Sequence, residues 1–341
     1  MVSSTSTPKS FSVKIAGEAG MGIKSASLNL ASYFHSLGFY IYNYLEYPSL
    51  IRGGHNVSQI IFSESPVRSP RKKINVLLAF DQKSLDLHTQ EIVPQGFLIY
   101  DSESELTLPQ NTQINFIGLP LKRFAREAQV GDVGQNTVAL GALTFLLGGD
   151  PKFLLEQIKN QFKKKPNFIE SNQKALQSGF AFASQNFSHL KQSVICDLSS
   201  NIQHSVLDGN DCLALGAISG GLDFSSIYPM SPISNLLTNL ARDKEKYGYI
   251  FKQAEDEISA INMCLGASYA GARVLTATSG GGFSLMTEAL GLAGMTETPL
   301  VIVEGMRGSP ATGLPTWNEQ GDLRFVLHAA QGDFPRIVLI P

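Results

Sequence analysis

The sequence has few cysteines, and the three that it has are far apart. Cys196, Cys212 and Cys264 form no closely spaced CxxC pair. An iron–sulfur cluster or a structural zinc site needs about four ligands held close together. The pattern therefore argues against either centre built by this chain alone. An odd, sparse set of cysteines also fits a reducing cytoplasm.

An excess of charge and long apolar runs are missing too. Lys and Arg number 27 against 29 Asp and Glu, a balance that gives no sign of binding to nucleic acid or to a membrane surface. No apolar run reaches the roughly 18 residues that a membrane-spanning helix needs, and residues 1–10 lack the apolar stretch of a secretory signal. We therefore expect a soluble, cytoplasmic protein.

What the chain does contain is enough apolar material for two domains. Its 341 residues are 43% hydrophobic and 16% charged, and a domain takes about 100–200 residues. We predict a disordered leader over 1–10, a first domain over 11–187, a linker over 188–208 and a second domain over 209–341. An apolar strand predicted directly before the last residue would rarely stay uncovered. We therefore expect the sequence to be the N-terminal part of a longer polypeptide.

A strand, a glycine-rich loop and a helix open the first domain. The strand is predicted at 11–16, the loop at 17–22 and the helix at 23–37, with Gly38 as its C-terminal cap. A second strand at 39–44 completes a βαβ unit. This order predicts a doubly wound α/β fold.

Later segments extend the same pattern. In the first domain we predict strands at 57–62, 76–80, 96–100 and 114–118, and helices at 136–147, 151–163 and 172–186. In the second domain we predict a helix at 211–220 and buried strands at 274–278, 300–304 and 336–340. Both domains are therefore expected to be α/β.

The loop GEAGMG is a candidate anion site. Gly17, Gly20 and Gly22 would let backbone N–H groups and a helix N-terminus approach a phosphate. Their spacing matches neither the dinucleotide fingerprint nor a Walker motif. A tight strand–helix turn without any ligand explains the glycines equally well.

A second candidate lies in the segment EYPSLIRGGHN. Arg52 precedes two glycines, which places a fixed cation beside accessible backbone and suits a phosphate or a carboxylate. An ordinary surface ion pair between Arg52 and Glu46 explains the arginine at least as well.

Three segments of the second domain carry a more specific pattern. They are YPMSP at 228–232, AEDEISA at 254–260, and TSGGG at 278–282 followed by a helix, a strand and the loop EGMRGSPATGLPTWNEQGDL. The glycines after the strand predict a loop that enters the helix. Loops at the carboxyl ends of parallel strands are where α/β proteins bind ligands.

Together the three segments resemble the pyrimidine-binding (alpha) domain of the 2-oxoacid:ferredoxin oxidoreductases, and the first domain resembles the gamma domain of that family. A gamma domain ahead of an alpha domain is similar to the alpha subunit of the 2-oxoglutarate type. The resemblance implies a gamma-type Rossmann-like domain followed by a thiamine-diphosphate pyrimidine-binding domain. The chain has YPMSP where the family often has YPITP, and RGSPATG where it often has RGGPSTG.

The resemblance also implies roles for single residues. Glu257 matches the carboxyl group that hydrogen-bonds the aminopyrimidine, which must be buried in apolar surroundings so that it is partly protonated. Ser231 would contact the cofactor or the substrate carbonyl. Arg307, assisted by Thr312, would bind the 2-oxoacid carboxylate or a phosphate of coenzyme A. Without the resemblance, Glu257 would only complement a helix N-terminus.

The diphosphate–magnesium motif of such enzymes, GDG followed by an asparagine, does not occur in the sequence. The resemblance therefore implies a beta subunit that supplies Mg²⁺, the diphosphate site and an iron–sulfur cluster, in a heterotetramer that reduces ferredoxin or flavodoxin. The reaction would be the coenzyme A-dependent oxidative decarboxylation of a 2-oxoacid, with 2-oxoglutarate the first choice. The alternative is a non-catalytic nucleotide- or CoA-binding module.

Overall fold

The computed structural model describes residues 10–47, 53–110, 113–161, 166–195, 205–317 and 319–340. The chain divides into two compact units, Met1–Val206 and Leu207–Pro341. The leader predicted for 1–10 lies outside the described residues except for Ser10, which begins the first strand. The domain bounds predicted from the sequence stay a prediction.

The first unit is built on a six-stranded mixed sheet. Its strands are β1 (Ser10–Ala19), β2 (Tyr40–Glu46), β3 (Gly53–Ser63), β4 (Ile74–Ala79), β5 (Ile92–Asp101) and β6 (Asn115–Leu119), in the order β2-β3-β1-β4-β5-β6. The strand β3 runs antiparallel to both of its neighbours, and β1, β4, β5 and β6 run parallel. All the predicted strands of this unit are present; most are longer than predicted, and β6 is shifted by one residue at the same length.

Helices pack on both faces of this sheet, unequally. They are α1 (Ile23–Ser36), α2 (Gln82–His88), α3 (Leu121–Glu127), α4 (Gln135–Leu146), α5 (Pro151–Gln161) and α6 (Pro166–Asn186). Five of these helices pack on one face of the sheet, and α2 with the segment around Leu106 and Leu108 packs on the other. Successive residues of β4 show why, since Leu78 packs into one core cluster and Leu77 into the other. A strand that is apolar on both sides needs a layer on each side. The predicted doubly wound α/β class is confirmed.

Apolar spacing and a glycine stop set the bounds of α1. Ile23, Ala26, Leu30 and Phe34 recur at helical intervals and are buried. Gly38 follows with a φ of 92°, a conformation that glycine adopts without strain. The predicted helix and its C-terminal glycine are confirmed.

The helices α4 and α6 pack at unusually close range. A Cβ at Gly141 would overlap the carbonyl of Leu176, and a Cβ at Gly179 would overlap the carbonyl of Val138. Every residue of α4 is buried. The two glycines therefore allow the backbones of this helix pair to approach each other.

The second unit has a four-stranded parallel sheet. Its strands are β7 (Phe224–Ile227), β8 (Ile250–Gln253), β9 (Val274–Thr278) and β10 (Val301–Glu304), in the order β10-β9-β7-β8. Its helices are α7 (Gly209–Ser219), α8 (Ser234–Tyr247), α9 (Glu257–Tyr269), α10 (Gly280–Met295) and α11 (Leu323–His328). One core cluster contains residues of α7 and α8, and another contains residues of α9 and α10.

One predicted strand of the second unit is wrong. Residues 336–340 form no strand, and Ile337 and Leu339 are 88% and 85% exposed. An apolar run becomes a strand only where a neighbouring edge pairs with it. In the described part of the unit, β10 pairs with β9 alone. Across the described residues, no helix is both long enough and apolar enough to cross a bilayer.

Candidate functional site

The carboxyl ends of the second sheet bring together the three segments singled out in the sequence. Thr278 ends β9, and its register partner Glu304 ends β10. The YPMSP segment follows β7, and α9 and α10 begin beside these strand ends. Since the strands are parallel, their carboxyl ends share one edge of the sheet.

Glu257 is the buried member of the acidic cluster AEDE. It is the first residue of α9 and only 4% exposed, whereas Glu255 and Asp256 are exposed. Asp256 caps the helix by accepting a hydrogen bond from the backbone N–H of Ser259 at 2.7 Å. The helix-terminus explanation therefore fits Asp256, and Glu257 needs a different one.

The Glu257 carboxyl group lies against α10. Its Oε1 is buried and has no hydrogen-bond partner among the described residues. A Cβ at Gly282 would stand 2.7 Å from that oxygen, so glycine leaves the space that the carboxyl occupies. A buried polar atom without a partner is unusual. This oxygen is available to form a hydrogen bond with a ligand.

The glycines of TSGGG are not the loop that the sequence predicted. Gly280, Gly281 and Gly282 form the first turn of α10, and Ser279 is its N-cap residue. Two of these glycines have carboxyl groups packed on them, Glu257 on Gly282 and Asp322 on Gly280. Close approach of side chains, rather than a free loop, explains the glycine run.

Ser231 and Arg307 are 76 positions apart but lie in contact. The Arg307 Nη1 donates to the Ser231 carbonyl at 3.0 Å, the side chain is 8% exposed, and its Nε is buried without a partner. The Ser231–Pro232 bond is cis, and Gly305 packs on Pro232. The structure thus places a buried guanidinium beside the YPMSP segment with donor capacity unused.

The loop that carries Arg307, residues 305–322, has backbone hydrogen bonds within itself. Gly308 donates to the Trp317 carbonyl at 3.0 Å, and Leu314 donates to the Gly308 carbonyl at 2.8 Å. Thr312, predicted to assist Arg307, is exposed between residues with positive φ. The structure does not bring Thr312 against Ser231 or Arg307.

A second carboxyl pair was not singled out in the sequence. Glu304 and Asp322 both have buried carboxyl oxygens without a donor in the described part of the chain. Burial, reinforced by the neighbouring Asp322 carboxylate, raises the pKa of Glu304 to about 7. The position of Glu304 at a strand end was the available signal, but nothing in the sequence pairs it with Asp322.

The glycines of the first unit occupy a strand end and a turn rather than one loop. Gly17 lies within β1, where a Cβ would stand 3.2 Å from the Cβ of Phe80. Gly22 precedes α1 with a φ of 74°, under the Asn136 amide that donates to the Met21 carbonyl at 3.1 Å. Gly20, at a φ of 94°, faces open space. Packing accounts for Gly17 and Gly22, and Gly20 remains free to meet a ligand.

Arg52 lies outside the described residues, so its pairing with Glu46 stays a prediction.

His55, three positions later, belongs to a cluster that the sequence did not reveal. His55 Nε2 lies 2.8 Å from His88 Nε2, and the other ring nitrogen of His88 lies 3.0 Å from Glu91. Lys14 completes the cluster through an ion pair with Glu91.

The cysteines offer no metal site in the described part of the chain. Cys264 is buried, and burial raises the pKa of its thiol to about 11, while Cys212 is exposed. Cys196 lies outside the described residues. Among the described residues, no group of three or more His, Cys, Asp or Glu side chains is arranged to hold a metal ion.

Comparison with known families matches both units. Residues 12–182 match the family model of pyruvate ferredoxin/flavodoxin oxidoreductase, and residues 215–341 match the thiamine diphosphate-binding model of pyruvate flavodoxin/ferredoxin oxidoreductase. The chain belongs to the pyruvate ferredoxin/flavodoxin oxidoreductase family. The resemblance stated from the sequence motifs is thus confirmed, and so is the order of a gamma-type domain followed by a thiamine diphosphate-binding domain.

Individual oxidoreductases agree with this assignment. The 2-oxoacid:ferredoxin oxidoreductase subunit alpha of Saccharolobus solfataricus is 33% identical over 95% of this chain and 59% of its own length. The 2-oxoglutarate synthase subunit KorA of Archaeoglobus fulgidus is 44% identical over 41% of this chain and 40% of its own length.

A solved structure is similar along nearly the whole chain. It is a 2-oxoglutarate:ferredoxin oxidoreductase from Magnetococcus marinus with 2-oxoglutarate, coenzyme A and succinyl-CoA bound, with a TM-score of 0.89 and 34% identity. The match covers 97% of this chain and 58% of that one. The chain therefore spans less than two thirds of the length of these oxidoreductases.

Proposed function

We propose that this chain is the alpha-subunit part of a 2-oxoacid:ferredoxin oxidoreductase, and that its second unit supplies the aminopyrimidine side of a thiamine diphosphate site. One observation carries the proposal: Glu257 is buried against Gly282 with an oxygen that has no protein partner. A glutamate buried in this way would otherwise cost stability. The match of residues 215–341 to a thiamine diphosphate-binding model supports it.

The residues present fit the cofactor. The unpartnered Oε1 of Glu257 would hydrogen-bond the aminopyrimidine ring, and glycine at position 282 leaves the space that the carboxyl group occupies. Ser231 would contact the cofactor or the substrate carbonyl from the end of β7. When bound, thiamine diphosphate supplies the nucleophile that attacks the 2-oxo carbon and the electron sink for decarboxylation.

Arg307 would bind the substrate carboxylate. Its guanidinium is buried, keeps one nitrogen unpaired and is held in place by the Ser231 carbonyl. A planar fork of donors suits a carboxylate or a phosphate, so the 2-oxoacid and coenzyme A both remain ligands for it. Thr312 would join only if the exposed loop tip closed on the bound substrate.

In the first unit, Gly17, Gly20, Gly22 and Arg52 are proposed for an anionic group, a phosphate or a carboxylate. Gly20 is the strongest of the three glycines, because no neighbouring atom stands where a side chain would lie. The packing of Gly17 and Gly22 is explained without a ligand.

The reaction we propose is the coenzyme A-dependent oxidative decarboxylation of 2-oxoglutarate, giving succinyl-CoA and CO₂, with ferredoxin or flavodoxin as electron acceptor. The names of the relatives and the ligands of the solved relative support this substrate. A beta subunit would bring Mg²⁺, the diphosphate site and the iron–sulfur cluster, in a heterotetramer. We also propose a cytoplasmic location.

The test replaces Glu257 by glutamine in the enzyme assembled with its beta subunit. Turnover of 2-oxoglutarate with a viologen dye should fall on the order of 100-fold or more, because a positioned general acid–base group contributes about 10²–10⁴ in rate. Glu255→Gln, the exposed neighbour two positions away, is the control and should keep full activity. Near-normal turnover in Glu257→Gln, with the complex intact, would refute the proposal.

A further inference from the structure

Glu304 and Asp322 stand at the two ends of the loop that carries Arg307. Glu304 is the last residue of β10, fixed by pairing with β9, and the next residue, Gly305, donates to the Thr278 carbonyl at 2.8 Å. Asp322 immediately precedes α11 but makes no side-chain cap bond there. Its carboxyl group lies instead over Gly280, where a Cβ would stand 3.1 Å from Oδ1.

The two carboxyl groups lack donors. Both carboxyl oxygens of Glu304 and the Oδ2 of Asp322 are buried, and none accepts a hydrogen bond from the described residues. Ionised carboxylates only accept hydrogen bonds, so two of them repel each other. With one shared proton, the same pair forms a strong charge-assisted hydrogen bond.

We propose that Glu304 and Asp322 share one proton and so fasten the two ends of the 305–322 loop, which makes them positioning residues for Arg307. The fastening holds while the pair keeps its proton and is released when both groups ionise. The part of this inference that concerns catalysis rests on the proposed function, but the fastening itself does not.

Asp322 is the charged group that acts on Glu304, and the other charged groups nearby have positions of their own. Glu257 packs on Gly282 of α10, two residues beyond Gly280, on which Asp322 packs. On the loop, Glu319 accepts from the Ser309 N–H at 3.0 Å, and Arg307 is turned toward Ser231.

Burial and the Asp322 carboxylate raise the pKa of Glu304 to about 7, which sets the pH window. Below that value the pair keeps a proton and the loop is fastened. Above it the pair ionises and its carboxylates repel, so at pH 8 the ionised form exceeds the protonated one about tenfold.

The chain carries its own reporter for this change. Trp317 is the single tryptophan of the sequence, lies within the loop, is 52% exposed and hydrogen-bonds Gly308 and Leu314 through its backbone. The difference in fluorescence between the wild type and each variant, measured on the assembled enzyme without substrate, therefore follows the loop.

The experiment titrates Trp317 fluorescence from pH 6 to 8.5 and compares amide hydrogen exchange in 305–322 at one fixed pH. The wild type should show a transition near pH 7. Glu304→Gln should show none and should exchange more slowly at pH 8, because a glutamine amide donates to Asp322 at every pH. Asp322→Asn is the reciprocal variant and should behave alike.

Two controls keep the readout specific. Glu319→Gln changes an exposed carboxylate of the same loop and should keep the wild-type transition. His328→Gln removes the exposed histidine of α11 and should keep the transition too. A transition that vanishes with His328, or that survives in both Glu304→Gln and Asp322→Asn, would overturn the proposal.

The assembled enzyme supplies the catalytic arm. The wild-type kcat/KM for the 2-oxoacid should fall above about pH 7, and Glu304→Gln should extend the plateau toward pH 8, a change that a merely structural role would not produce. An unaltered pH profile in this variant would remove the pair from substrate positioning. If Glu257→Gln stayed active, the proposed function would fail while the fluorescence test still decided the fastening.

Discussion

The two units bury glutamate in opposite ways. In the first unit, burial would raise the pKa of Glu91, but hydrogen bonds from Lys14 and His88 outweigh it and hold that pKa below its ordinary value. In the second unit, Glu304 has no donor, and burial beside Asp322 raises its pKa to about 7. One carboxyl group is paired by its own fold, and the other is not.

The difference separates a structural use of buried charge from a functional one. Paired buried charges stabilise a single arrangement, whereas unpaired ones cost stability and persist where a ligand or a proton completes them. Among the described residues, Glu257, Glu304, Asp322 and Arg307 have buried, unpartnered polar atoms in the second unit, and among ionisable side chains of the first unit Asp81 and His55 have them. The larger number in the second unit supports the proposed site there.

The largest effect is expected when the Glu257 carboxyl group of the second unit is displaced from its position. Gly282→Ala would put a methyl group against the Thr278 hydroxyl and within 2.7 Å of the Glu257 carboxyl oxygen. Displacing a catalytic group by about 1 Å costs on the order of 100-fold, so turnover of the assembled enzyme should fall by about that factor. Gly266→Ala, in α9 with no atom near its Cβ position, is the matched control. Equal activities in the two variants would show that the position of Glu257 does not matter.

The corresponding change in the first unit should affect stability instead. Gly179→Ala would force α6 away from the Val138 carbonyl on α4, and overpacking of this kind costs about 1–3 kcal/mol. Urea unfolding followed by circular dichroism should show the loss. Gly216→Ala, in α7 with free space around it, should leave the unfolding curve near that of the wild type. A Gly179→Ala protein as stable as the wild type would contradict the close packing of α4 on α6.

The smallest expected effect concerns the pH dependence of the Lys14–Glu91–His88 cluster. Because the folded pKa of Glu91 is lowered, its stabilising contribution is complete above its ordinary pKa of 4.5 and is lost as the pH falls through the folded value. Glu91→Gln should therefore reduce the hydrogen-exchange protection of β1 and β4 at pH 7 and reduce it less at pH 4.

Burial, and then His88, lowers the pKa of His55. Its contribution to stability is therefore also lost as the pH falls below its ordinary pKa of 6.5.

Glu170→Gln serves as the control for the Glu91 experiment, since its ion pair with Lys174 is on the surface. Identical protection in Glu91→Gln and the wild type at pH 7 would show that the cluster contributes nothing.

Local patterns in the sequence were enough for most of the fold. Helical spacing and capping residues predicted α1 and Gly38, and apolar runs predicted the six strands of the first sheet and β9 and β10 of the second. The strand at 336–340 failed because pairing depends on a neighbouring edge that a local pattern does not contain. The strand β8 and the helices α2, α3, α8 and α11 were missed, although Asp81 three positions before Ser84 is a capping signal for α2.

The site was predicted where a family motif marked it and missed where only the fold brings residues together. The AEDE segment indicated Glu257. Only the structure shows that Glu257 is buried whereas Asp256 caps the helix. The Glu304–Asp322 pair spans a whole loop, and Lys14–Glu91 spans 77 positions. Contacts at such separations depend on topology, which composition and spacing do not encode.

The most direct test of the account is deuterium exchange at the thiazolium C2 position of thiamine diphosphate in the assembled oxidoreductase, measured by acid quench and NMR. The account predicts that Glu257→Gln slows this exchange by about 10²–10⁴ while Glu91→Gln leaves it unchanged. Exchange at the wild-type rate in Glu257→Gln would show that the buried glutamate of the second unit does not activate the cofactor.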